Sequence, residues 1–172
     1  MTTRWPLVIA PAAVLRTPAH PKPSSNLEEN MSDTNTNKAV ARQFVDRVVN
    51  GHDLNGVDEL LAANFVEHHA APGFAANKAG QREMFAALFT GFPDMRYDIE
   101  ELIAEGDKVV LRGKGHGTHK GAFMRMPATN KTVNIDEIHI VSVENGKITA
   151  HWAVFDQLKM LQQLGVIPTQ GD

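Results

Sequence analysis

Asp156 closes the run Ile148-Thr149-Ala150-His151-Trp152-Ala153-Val154-Phe155-Asp156, which is otherwise mostly apolar. On a regular strand Ile148, Ala150, Trp152, Val154 and Asp156 point to one face. A carboxylate beside a tryptophan on an apolar face is costly unless it is hydrogen-bonded or used. In a dry pocket its pKa rises from about 3.9 toward neutrality. Such a carboxyl can take a proton from carbon next to a carbonyl and return it to a product oxygen. The other reading makes Asp156 the N-cap of a helix beginning at Gln157, and the two roles are compatible.

The eight histidines are the other chemical resource. His139 lies in Asp136-Glu137-Ile138-His139-Ile140-Val141, on the strand that precedes an Asn145-Gly146 turn. Facing side chains of a hairpin lie close together, so His139 could hydrogen-bond Asp156 or polarise a substrate carbonyl. The alternative is a cross-strand histidine satisfied by a backbone or threonine partner. His68 and His69 are adjacent, and on an extended chain only one of them faces inward. His116 and His119 are three apart, but the glycines around them make a strand end or loop with no third ligand near in sequence, so no metal site is expected. His151 alternates away from Trp152 and is expected on the far face of the sheet.

The elements that must position these residues change character once along the chain. Residues 37–49 repeat Val40, Phe44 and Val48, with Ala41 and Val45, at helical spacing, and Asn50-Gly51 ends the helix. A short helix over residues 57–62 leads through Phe65-Val66 to the histidine pair, and residues 70–76 form a loop. A third helix over residues 78–90 carries Gln81, Met84, Phe85, Leu88 and Phe89 on its inner side, and Gly91-Phe92-Pro93 stops it. Strands follow at residues 95–104, 108–118, 132–144 and 148–155, with a strong hairpin signal at Asn145-Gly146. A terminal helix over residues 157–164 is closed by Gly165. Helices first and a meander afterwards is an α+β order. A concavity between the two layers is where a small-molecule pocket forms.

Composition narrows the function classes. The chain has 172 residues, enough for one domain with a substantial core. Its net charge of −3 without a basic block argues against nucleic acid as a partner. The absence of cysteine excludes disulfides and thiolate nucleophiles. No apolar run approaches the roughly 20 residues of a membrane span. Neither a phosphate-cradling Gly-rich loop nor a Gly-x-Ser-x-Gly elbow is present, and the alternating glycines at 113, 115 and 117 are a shape feature, so cofactor-free chemistry is expected. Residues 1–35, rich in proline and serine, are expected to be a disordered extension. A signal peptide over residues 1–20 is the rival reading, and Met31 offers an alternative start. The domain is then residues 36–168 with a tail at 169–172, and the location cytoplasmic unless residues 1–20 direct export.

Several stretches together resemble the SnoaL-like polyketide cyclases and ester cyclases of the nuclear transport factor 2-like superfamily. They are Phe65-Val66-Glu67-His68, Gly117-Thr118-His119-Lys120-Gly121-Ala122-Phe123, Asn145-Gly146-Lys147-Ile148 with His151-Trp152 and Asp156, and Leu161-Gln162-Gln163-Leu164-Gly165-Val166-Ile167-Pro168. The resemblance covers about residues 37–168. It implies a cone-shaped (cystatin-like) curved antiparallel sheet with the N-terminal helices on its concave face. It also implies a cofactor-independent cyclase or isomerase acting on a small hydrophobic carbonyl compound. Asp156 would be the acid/base, His139 its helper and His68 the inward histidine at the rim. Trp152, Phe123, Met126 and Phe85 would wall the pocket, and the sheet would pair copies into a homodimer or higher homo-oligomer. Ala150 stands where the family often has an acid, which leaves the pocket fewer polar partners. A binding module without turnover and epoxide-hydrolase-like water addition are the rival functions.

Overall fold

The computed structural model describes residues 25–169, with side chains from residue 33 onward. The signal-peptide reading of residues 1–20 falls outside them. Helix α1, Ser25–Phe44, begins well before residue 37, so the C-terminal part of the expected extension, from residue 25 on, is helical. It continues into a π-helical turn, Val45–Val49, which ends where the Asn50 N–H donates to the Val45 carbonyl at 2.8 Å. Ala41, Val45 and Val48 are buried along this rod, the apolar stripe its spacing requires.

Asp53 caps α2, Leu54–Leu60, by accepting from the Asn55 N–H at 3.0 Å. The chain then enters strand β1, Leu61–Glu67. Asn77 caps α3, Lys78–Gly91, in the same way, accepting from the Gly80 N–H at 3.1 Å. Four strands follow: β2, Arg96–Glu105; β3, Lys108–Thr118; β4, Thr132–Glu144; and β5, Lys147–Phe155. Helix α4, Gln157–Leu164, ends the domain.

The sheet has the order β1-β5-β4-β3-β2. Strands β2 to β5 are an antiparallel meander, as expected, and its last hairpin turns through Asn145 and Gly146 at φ 51° and 72°. This is the mirror-image turn whose twist matches the strands. The expected sheet gains a member: β1 pairs with β5 in parallel, so the sheet is mixed. Buried Leu61, Phe65, Phe85, Val109, Leu111, Val141 and Ile148 fill the space between helices and sheet. A smaller cluster of Phe92, Phe123, Val133 and Leu164 closes the other end. No helix among the described residues is long and apolar enough to cross a membrane.

One irregularity decides which side chains face inward. Ser142 pairs with Ala150, yet the next residue, Val143, pairs with Ile148, so Thr149 is an extra residue on β5. A β-bulge of this kind reverses the alternation on either side of it. Ile148 faces the helices before the bulge, and His151 and Ala153 do so after it. The expected common face of Ile148, Trp152 and Asp156 therefore does not exist.

Candidate active site

Between the helices and the inner face of the sheet lies a cavity of about 760 Å³. Phe44 and Val45 from the first rod and Met84, Phe85 and Leu88 from α3 form one wall. Leu111, Ile135, Val141 and Ile148 form the opposite wall. Among the described residues its titratable lining is Glu67, His69, Tyr97, Glu137, His139 and His151, with no lysine or arginine.

Four of these groups form a continuous row across β1, β5 and β4. Glu67 Oε2 lies 2.5 Å from His151 Nδ1, because parallel pairing sets Glu67 beside His151. His151 Nε2 lies 3.0 Å from His139 Nδ1, the two rings stacked at 5.2 Å. His139 Nε2 lies 2.9 Å from Glu137 Oε2. Side-chain exposure is 4% for Glu67, 17% for His151, 24% for His139 and 12% for Glu137, so the His139 end is the more open one.

Burial pushes the Glu67 carboxyl up, but the His151 hydrogen bond and the His69 N–H at 3.0 Å outweigh it, and its pKa lies below the ordinary value. Burial holds the His151 pKa below that of a free imidazole, against the pull of Glu67. An ionised Glu67 beside a neutral His151 requires the proton on His151 Nδ1, which leaves Nε2 as an acceptor. His139 then donates through its own Nδ1–H. Tyr97 stands edge-on to His139 at 5.1 Å and donates its hydroxyl to the Leu111 carbonyl at 3.2 Å. Burial and the Glu137 charge push its pKa up, so it stays a neutral phenol.

A missing side chain makes room for the row. A Cβ built on Gly115 would lie 2.3 Å from Glu137 Oε1 and 2.7 Å from its Cδ. The glycine at 115 is thus the space in which the Glu137 carboxylate sits.

The expected site residues divide. His139, Phe85 and Phe123 line the cavity. Asp156 does not: it is exposed, and its Oδ1 accepts from the Lys159 N–H at 2.9 Å to cap α4. Trp152 faces outward, where it stacks on His68 at 4.3 Å with the rings 5° from parallel. His68 is therefore not the inward histidine; His69 lines the cavity and accepts the Ala153 N–H on Nδ1 at 3.4 Å. Met126 packs against the smaller cluster instead of the cavity. His151, expected on the far face, is a cavity residue, and the bulge is the cause. His119 is fully buried, stacked on Phe92 at 4.9 Å, and His116 pairs with Asp98 at 3.1 Å. Among the described residues no group of His, Asp and Glu is arranged to hold a metal ion.

Glu67, Glu137 and His151 are the members that sequence reasoning missed. Glu137 was within reach, since it is two residues before His139 on one strand and so shares its face. His151 was not, because nothing in its neighbours marks the bulge.

Comparison with known proteins adds an independent line. The family model described as SnoaL-like polyketide cyclase matches residues 39–164. Aklanonic acid methyl ester cyclase DauD of Streptomyces sp. (strain C5) is 30% identical over 131 residues, covering 71% of this chain and 80% of the relative. Aklanonic acid methyl ester cyclase DnrD of Streptomyces peucetius is 29% identical over 131 residues, covering 71% and 88%. The structure of TsrD from Streptomyces laurentii superposes with a TM-score of 0.70 at 23% identity, covering 77% of this chain and 97% of that one, a likeness of fold.

Proposed function

Because the chain belongs to the SnoaL-like polyketide cyclase family, we propose that it closes a carbon–carbon bond within a neutral, largely apolar carbonyl compound without a cofactor. The observation that carries this reading is the continuous row of four titratable groups in a largely apolar cavity. The His139–Glu137 pair takes a proton from carbon next to a carbonyl. The enolate carbon attacks a second carbonyl of the same molecule, and the resulting alkoxide takes the proton back. One C–H bond and one C=O π bond are replaced by a C–C bond and an O–H bond, with no atom gained or lost. A positioned acid/base of this kind is worth roughly 10²- to 10⁴-fold in rate. Aromatic and aliphatic walls keep water from the enolate.

The lining supports a neutral substrate. With two carboxylates and, among the described residues, no lysine or arginine in its lining, the cavity offers an anionic substrate no permanent cation to pair with, and an unpaired buried charge is costly. Water addition of the epoxide-hydrolase kind is less well served, since an arginine between the two acids is missing from this lining.

Aklanonic acid methyl ester, the compound for which the two curated relatives are named, is the first test substrate. Ring closure is followed by chromatography with mass detection, as a new peak of unchanged mass. The ester is expected to turn over at least ~100-fold faster than its free acid, by kcat/KM. Glu137→Gln is expected to lower kcat by at least ~100-fold. Binding of the ester and of simpler neutral diketones with no conversion of any of them would replace the enzyme by a binding module.

A further inference from the structure

The row contains more hydrogen bonds than its neutral groups have protons. Three contacts link its four members, Glu67 to His151, His151 to His139 and His139 to Glu137. Two neutral imidazoles carry one ring proton each, and two ionised carboxylates carry none. The third contact therefore needs one additional proton. With His151 donating to Glu67 and His139 donating to His151, the contact left without a proton is the one between His139 Nε2 and Glu137 Oε2.

We propose that Glu67 is a positioning residue that sets both histidine tautomers and so holds this extra proton at the His139–Glu137 end, where substrate meets it. The inference deepens the cyclase reading and rests on it for the identity of the acid/base pair. Glu67 itself touches only His151 within the row, and with its side chain 4% exposed it is the most buried member. Its second oxygen accepts from the backbone N–H of His69 at 3.0 Å, a donor that cannot change its role. That N–H is what makes the arrangement one-way. The other titratable groups facing the row are His69, beyond the end of β1, and Tyr97, on β2, and the helices contribute the neutral Gln81.

A catalytic cycle then moves one proton without net change in the row. Glu137 takes the proton from carbon while the proton it shares moves onto His139 Nε2, and one of the two then passes to the alkoxide, which restores the starting state. The row keeps its charge of one unit negative before and after the cycle.

Substituting Glu67→Gln tests the idea, because the amide has one oxygen and one NH₂ group. The His69 N–H demands the oxygen, so the NH₂ group must face His151. His151 Nδ1 then accepts, its Nε2–H donates to His139 Nδ1, and His139 donates through Nε2–H to an ionised Glu137. The polarity of the whole row reverses, and the extra proton is expelled. Histidine-selective ¹⁵N NMR of the full chain reads this directly and requires no substrate. In the wild type at neutral pH both His151 and His139 are expected to carry Nδ1–H. In Glu67→Gln both rings are expected to show Nε2–H and a bare Nδ1, including His139, two hydrogen bonds away. With a turnover substrate, kcat is expected to fall by roughly 100-fold while KM holds.

A bare Nδ1 on either ring of the wild type overturns the proposal even if the variant does not fold. An unchanged His139 signal in a folded variant overturns it as well. The expected tautomers without turnover of any carbonyl substrate would sink the cyclase reading and leave this one standing. Turnover with unmoved tautomers would do the reverse.

Discussion

Substituting Gly115→Ala isolates the placement of one carboxylate, because it adds a methyl group and removes no titratable group. The new Cβ would meet Glu137 Oε1 at 2.3 Å and Cδ at 2.7 Å. Ordinary carbon contacts begin near 3.5 Å, so the carboxylate must retreat by roughly 1 Å. It is the far end of a flexible side chain, and it can move without displacing the strand. The 2.9 Å contact between Glu137 Oε2 and His139 Nε2 then stretches toward about 4 Å, which is no longer a hydrogen bond. A displacement of this size at a reacting group costs on the order of 100-fold in rate. Stability should change little. Replacing a strand glycine by alanine is favourable by about 0.5–1 kcal/mol, and losing a charged hydrogen bond costs about 1.5–3 kcal/mol. The net loss is about 1 kcal/mol, or a fall in Tm of about 4 °C. Turnover of the methyl ester and a thermal melt, read on the same preparation, decide the matter. A kcat within twofold of wild type in a folded variant would refute the role of Glu137. A drop in Tm of 15 °C or more would show that Gly115 is needed by the core and not by the carboxylate.

Three further outcomes follow from the same geometry. Asp156→Ala removes the cap of α4 and is expected to lower stability by about 1 kcal/mol in urea unfolding with kcat unchanged, the reverse of what a catalytic Asp156 requires. Burial depresses the His151 pKa in the folded state, so below the free-imidazole value of 6.5 the unfolded chain binds the proton more readily. Stability is therefore expected to decline as pH falls from about 6.5, with a further loss as pH passes through the lowered Glu67 pKa. Urea midpoints from pH 8 to pH 4 measure it, and a flat profile between pH 6.5 and 5 would contradict the neutral His151. Met124 and Arg125 sit at φ 47° and 67° in a tight turn closed by two hydrogen bonds between Phe123 and Met126. Left-handed backbone costs a non-glycine residue roughly 1–2 kcal/mol, so Arg125→Gly should raise the unfolding free energy by about 1 kcal/mol in the same assay.

The fold was legible because its signals are local. Strands β3 and β4 run over the expected residues, since alternation and the Asn145-Gly146 turn are written into neighbouring positions. The α+β order follows from the switch of periodicity after Pro93. Parallel β1 was not legible, because its partner lies some eighty residues away and the pairing owes nothing to its own pattern. Within the site, His139 and Phe85 were legible from strand and helix phase, and Phe123 from the glycine-bounded turn that carries it. Asp156 and Trp152 were misplaced by the assumption of an unbroken β5, and His68 because the choice between it and His69 rested on the resemblance and not on strand phase. Thr149 is an ordinary strand residue, neither glycine nor proline, and the bulge it makes is visible only in the pairing with β4.

That single extra residue selects the chemistry. Without it the inward set on β5 would end in a tryptophan and a capping aspartate; with it His151 turns inward between Glu67 on one side and His139 on the other. The order β1-β5-β4 makes these three side chains successive neighbours, and Gly115 on β3 clears the space for the fourth. Every member of the acid/base row is therefore placed by strand register, and none by a helix. The helices supply the apolar wall that faces it, through Phe44, Val45, Met84, Phe85 and Leu88. It follows that changes on α1 and α3 reshape which substrate fits while leaving the row intact. Changes in the register of β1, β4 or β5 remove the chemistry without altering the shape of the wall.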